Sequence, residues 1–127
     1  MRLKGTITEE SFRTELRKTH NYIFNSKLGG FLKQALQEMY PEMKTAYILH
    51  WTPDDGSDFY TIIINGQAIV FIEIEEEIKE SLFKTSIIKK IIDLKSCPLK
   101  DYKRTLSKIN QIKLEVAIDL CIKDMKE

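Results

Sequence analysis

The sequence predicts a single α+β domain, and three observations carry that reading. β-Branched and aromatic residues concentrate in one block at about 45–75, apolar residues at helical spacing occupy both flanks, and an Asn65-Gly66 pair separates two strand-like runs. Strands grouped together, rather than alternating with helices, mark α+β rather than parallel α/β order. The expected architecture is a three-stranded antiparallel meander (about 45–75) packed with two N-terminal and two C-terminal helices. A chain of 127 residues, 43% apolar and 31% charged, has the length for one core spanning 1–127.

Thr8 followed by Glu9 and Glu10 reads as a helix start, and Phe12, Leu16, Thr19 and Ile23 recur at helical spacing, which predicts a helix over about 9–24. Gly29-Gly30 interrupts before Phe31, Leu32, Ala35, Leu36 and Met39, a shorter amphipathic helix closed by Pro41. Residues 45–51 predict a strand with Tyr47, Leu49 and Trp51 on one face. Pro53-Asp54-Asp55-Gly56 predicts a turn, 59–64 a second strand, and Asn65-Gly66 a type I′ hairpin into a third strand over 67–75. These strands are apolar at nearly every position, so helices should cover both faces. Phe83, Ile87, Ile88, Ile91, Ile92 and Leu94 fall at three- and four-residue spacing, predicting a helix near 80–94. Beyond Ser96 and Pro98, the stripe from Leu99 through Tyr102, Leu106, Ile109, Ile112 and Val116 to Leu120 predicts one long helix over about 98–125.

The net charge of +1 conceals a segregation. Residues 1–37 carry seven Lys/Arg against three Glu. Residues 38–78 carry only Lys44 against nine acids, a net of −8, and residues 79–127 return to +5. An acidic middle between basic flanks bears on partners and association rates rather than on fold. Apolar runs such as 69–72 are far too short for a membrane span. The opening segment MRLKGTITEESFRTEL has no apolar signal region, so a cytoplasmic protein without a membrane partner is expected, with Cys97 and Cys121 as reduced thiols.

Catalytic signals are thin. The five glycines match neither a dinucleotide fingerprint nor a P-loop, and no cofactor is expected. His20 and His50 lie in different elements, and His50 should point away from Trp51. Cys97 precedes Pro98 at an expected helix start, where a macrodipole could lower a thiol pKa, but no base is placed beside it. Asp54, Asp55 and Asp58 fail the alternate-position spacing of an EF-hand and fit turn chemistry. Glu73, Glu75, Glu76 and Glu77 read either as a solvated strand end or as a surface for a basic partner. Lys89-Lys90 and Lys100, Lys103, Arg104 and Lys108 put cations on expected helices without the aromatics that stack nucleic-acid bases.

Two segments, YILHWTPDDGSDFYTIIINGQAIVFIEI and LKDYKRTLSKINQIKLEVAIDLCIK, resemble the strand–turn–hairpin and C-terminal helix of bacterial contact-dependent growth inhibition immunity proteins. The resemblance spans roughly 45–75 and 96–123. It implies a cytoplasmic, non-enzymatic protein that binds the C-terminal domain of a cognate secreted toxin, often a nuclease, by covering its active site, without itself touching nucleic acid or membrane. It brings no catalytic residues. From the residues themselves, the expected partner-binding surface is an acidic rim of Trp51, Asp54, Asp55, Asp58, Glu73, Glu75, Glu76 and Glu77, where opposite charge would speed association with a basic nuclease. The alternatives are a metal-dependent hydrolase or nuclease using Asp54, Asp58 and Glu73, and an RNA-binding accessory using the Lys/Arg helices.

Overall fold

The computed structural model describes residues 7–27, 29–54 and 56–126. Its elements are α1 (Ile7–Asn25), α2 (Gly30–Met39), β1 (Ala46–Asp54), β2 (Ser57–Ile64), β3 (Ala68–Glu80), β4 (Thr85–Pro98), α3 (Leu99–Arg104) and α4 (Lys108–Lys126). The class is α+β, and the strands form one sheet in the order β1-β2-β3-β4 with every neighbour antiparallel.

The β2–β3 hairpin follows from local chemistry. Asn65 (φ 55°) and Gly66 (φ 72°) both adopt the left-handed conformation that a type I′ turn demands. Asn65 also anchors the chain entering β1. Its Oδ1 accepts from the backbone N–H of Lys44 (2.9 Å) and Thr45 (3.1 Å), and its Nδ2 donates to the Glu42 carbonyl (3.1 Å).

Alternation along the strands builds two cores, one on each side of the sheet. Ile48, Ile62, Val70 and Ile72 pack under Leu32 and Leu36 of α2. Tyr47, Ile63 and Ile69 meet Leu114, Ala117 and Leu120 of α4 on the other side. Helix α1 supplies Ile23 to the first core and Leu16 to the second, so it runs along the β1 edge. There the Thr19 hydroxyl accepts from the Ile48 N–H (3.0 Å) and donates to the Leu16 carbonyl (2.7 Å), which occupies a backbone donor an edge strand would otherwise expose.

Three expectations are corrected. The segment at 80–94 is not a helix but the β3–β4 turn and most of β4, and the sheet has four strands rather than three. The run Ile-Ile-Lys-Lys-Ile-Ile satisfies a helical period, yet isoleucine favours strands, and β3 needs a partner for its backbone groups on this side. Pairing β4 there sets Ile91 against Ile74 and Ile87 against Ile78. The expected long helix at 98–125 is broken into α3 and α4: Thr105 Oγ1 donates back to the Tyr102 carbonyl (2.8 Å), and Ser107 Oγ accepts from the Asn110 N–H (3.4 Å), restarting the helix as an N-cap. Finally, β1 carries a bulge between Ile48 and His50. The extra residue flips the alternation, so Trp51 lies on the face opposite Tyr47 rather than beside it.

Candidate protein-interaction surface

The meander brings the expected rim residues to one end of the sheet and then divides them between its faces. Because β1 and β3 run in the same direction, Trp51 is level with Ile72, and the turn after β1 reaches Glu75 and Glu76. The Gly56 carbonyl accepts from the Glu76 N–H at 2.9 Å. Asp55 lies outside the described residues, and of Asp54 only the backbone, at the end of β1, is described. Asp58 pairs with Ile74 and Glu73 with Phe59, so their side chains point to opposite faces. Two of the carboxylates invoked for a metal-dependent hydrolase, Asp58 and Glu73, therefore do not converge. Asp58 is instead held by Trp51, whose Nε1 donates to its Oδ1 at 3.1 Å. The Trp51 ring stacks on Tyr60 with centroids 6.0 Å apart and remains 58% exposed.

The acidic middle also has cations that its own segment lacks. Strand β4 sets Lys90 opposite Glu75 and Lys89 opposite Glu76, so these lysines lie on a strand rather than on the expected helix. Cross-strand opposite charges of this kind stabilise a ladder modestly. Glu73 faces Asp93, and Lys95 lies 3.3 Å from the Asp93 carboxylate. On α3, Lys103 reaches Glu115 of α4 at 3.4 Å. The rim is thus a mixed-charge surface from Glu75 outward, with four glutamates and four lysines across 75–90.

What the sequence reading missed is a projecting arm. Strand β2 ends opposite Glu75, and beyond it β3 pairs with β4 alone as far as Glu80 and Thr85. Five residues of strand give this arm a reach of about 17 Å. Ile78 and Ile87 share one of its faces and are both about 60% exposed, at 63% and 60%. Its apex is closed by reciprocal backbone bonds between Ser81 and Lys84 (2.9 and 3.4 Å), which leaves Leu82 94% and Phe83 96% exposed. The available signal was the Ser-Leu-Phe-Lys tetrad ahead of the β-branched run at 85–92, which helical periodicity absorbed.

A cleft of about 480 Å³ opens between α1 and β1 at the same end of the sheet. Tyr22, Ile48, Trp51 and Tyr60 form its apolar walls, with His50 and Lys113 toward the α4 side. Burial pushes the His50 imidazole below its usual pKa, Lys113 adds to that shift, and Glu15 opposes it. Lys113 is itself held by Glu15 at 2.9 Å. His20, stacked on Phe24 at 4.5 Å, is likewise lowered, chiefly by burial.

The remaining polar cluster ties elements together. Asp124 of α4 accepts from Arg17 of α1 (3.0 Å), Thr45 Oγ1 (2.8 Å) and the Tyr47 hydroxyl. Burial alone would raise its carboxyl pKa, but the bonds from Tyr47, Thr45 and Arg17 outweigh burial and hold it below the ordinary value. Cys97 is the penultimate residue of β4, half-buried beside the Pro98 carbonyl, rather than opening a helix. Cys121 is buried in the core, which pushes its thiol up to about 12. Among the described residues no group of three or more His, Cys, Asp or Glu is placed to hold a metal ion, and no helix is long and apolar enough to cross a membrane. Compared with known proteins, the chain matches no family model, no characterised protein and no solved structure.

Proposed function

We propose that this chain is a non-enzymatic cytoplasmic binding protein that neutralises the C-terminal domain of a cognate secreted toxin, docking through the end of the sheet that carries the arm. The observation that supports this best is the apex, where Leu82 and Phe83 are 94% and 96% exposed on a strand pair that extends past the rest of the sheet. Near-complete exposure of two large apolar side chains lowers solubility and adds nothing to the core, which is the mark of an interaction site. Trp51 beside Asp58 adds an aromatic anchor of the type enriched at hot spots. The likeness of 45–75 and 96–123 to growth-inhibition immunity proteins supplies the partner class. Glu77 and Glu80, exposed on β3 with Lys79 between them, are carboxylates within a mixed-charge arm that a basic toxin such as a nuclease could engage.

Co-expression with the toxin domain encoded by an adjacent reading frame tests the proposal. A one-to-one complex in which toxin activity is suppressed is expected, and the paired substitution Leu82→Asp, Phe83→Asp should release the toxin. Failure of the folded wild-type protein to bind that domain, or turnover of RNA, DNA or an ester abolished by Asp58→Asn, would overturn it.

A further inference from the structure

We propose that the free protein associates with a second copy of itself by reciprocal exchange of arms, the Leu82–Phe83 apex of each copy seating in the other's cleft between α1 and β1. The proposal is independent of the toxin reading, because it rests on two features of this chain alone.

The first feature is a donor. The apex presents two almost fully exposed apolar side chains, Leu82 and Phe83, followed on one face by Ile78 and Ile87. The second is an acceptor, a cleft of about 480 Å³ whose apolar walls include Tyr22, Ile48, Trp51 and Tyr60. That volume holds a leucine and a phenylalanine side chain together. Trp51, in the wall of this cleft, is 58% exposed. An apex and a pocket of matching chemistry on one chain are the elements of self-association, and a closed two-fold arrangement satisfies both pairs at once.

Intramolecular closure is not available. The arm leaves the sheet at β3 and β4, whereas the cleft lies beyond β1, two to three strand spacings away, or roughly 10–14 Å. The arm keeps one register from the Ile74–Ile91 pair to the Glu80–Thr85 pair, so its apex stands eight strand residues, or roughly 27 Å, beyond the level of Trp51. The flanking charges match a second copy: Glu80 and Lys84 border the apex, and Lys18 and Glu15 border the cleft. Across 75–90 the arm has equal numbers of Glu and Lys, so two copies meet without net repulsion. Reciprocity also supplies the area. One two-stranded arm on a flat surface falls short of the roughly 800 Å² per partner of a stable interface, but an exchange counts the contact twice.

The single tryptophan provides the readout. Light scattering across a wide concentration range should show the mass doubling, with Trp51 emission shifting to the blue and losing quenching by acrylamide over the same range. Truncating a buried aromatic anchor weakens one contact about 30-fold, and two contacts per dimer make the loss for Phe83→Asp about 1,000-fold. Trp51→Ala should also be monomeric. Mixing Phe83→Asp with Trp51→Ala should restore weak association, because that pair retains one intact apex-in-cleft contact. Both sites are on the surface, so thermal unfolding near the wild-type midpoint verifies the variants, and Leu82→Ser replaces Phe83→Asp should it misfold. A monomer at every concentration, a dimer whose Trp51 emission does not change, or wild-type dimerisation by both apex variants would overturn the proposal.

Discussion

Replacing Asp124 with alanine removes an acceptor by which α4 holds both α1 and β1. The carboxylate takes hydrogen bonds from Arg17 (3.0 Å), Thr45 (2.8 Å) and the Tyr47 hydroxyl. Thr45 and Tyr47 are fully buried, so each hydroxyl left without its acceptor costs about 1 kcal/mol. Arg17 is half-exposed and keeps the Tyr47 hydroxyl at 3.0 Å, so its loss is about 0.5–1 kcal/mol. The expected destabilisation is about 3 kcal/mol. Asp124 lies in the last turn of α4, where a negative charge opposes the macrodipole and alanine is the better helix former. Those terms favour the variant by a few tenths of a kcal/mol, so a measured loss understates the network. Urea denaturation reads the effect as a midpoint shift of about 1–2 M. Tyr47→Phe alone should cost about 1 kcal/mol, and the double variant should show about 1 kcal/mol of coupling. Because the Asp124 pKa is depressed in the folded state, its contribution is present above about pH 4 and is lost as pH falls through the lower folded value. The gap between wild type and Asp124→Ala should therefore close in acid. A neutral-pH loss below about 0.5 kcal/mol, or additivity with Tyr47→Phe, would show that these contacts do not hold the three elements together.

Gly66→Val should destabilise by about 3 kcal/mol in the same assay, since it forces a β-branched residue to a φ of +72° and sets a new Cβ 3.2 Å from that of Cys121. Gly29→Ala should cost several-fold more than Gly30→Ala in thermal unfolding: a Cβ at Gly29 would lie 1.9 Å from the Tyr22 carbonyl oxygen, whereas nothing lies within 4 Å of one at Gly30. Asn65→Gly keeps the turn conformation but removes three hydrogen bonds to 42–45, for an expected loss of about 2–3 kcal/mol. His20 and His50 have folded pKa values below 6.5, so the folded state favours the neutral rings. Stability should be full above about pH 6.5 and decline as pH falls toward the lower folded values, and His20→Phe should flatten that decline while keeping the stack on Phe24.

The elements legible in the sequence are those set by neighbours along the chain. Asn65-Gly66 adopts its turn because two adjacent residues tolerate positive φ, and α2 ends before Pro41 for an equally local reason. The nearly continuous apolar runs of β2 and β3 pointed correctly to a sheet covered on both faces. The opposed faces of His50 and Trp51 were legible too, whereas the placement of Trp51 beside Tyr47 was lost to a single inserted residue in β1. Of the expected surface, Trp51, Asp58 and the β3 glutamates do gather at one end of the sheet, because the direction of each strand follows from the order of the hairpins.

Sequence alone determined the fold class, the central hairpin and the apolar content of both sheet faces, since each depends on contacts within a few residues. Only the tertiary structure decided the state of 85–98. Its paired isoleucines and lysines satisfy a helix of period 3.6 as well as a strand, and the choice rests on free energy gained against β3: Ile91 on Ile74, Lys90 on Glu75 and Lys89 on Glu76. That one pairing changed the electrostatics of the surface, bringing lysines to glutamates 13 to 15 positions away in the chain. It also created the arm. Whether Leu82 and Phe83 lie on a buried helical face or at an exposed apex depends on which distant backbone groups β4 satisfies, and no local pattern contains that information.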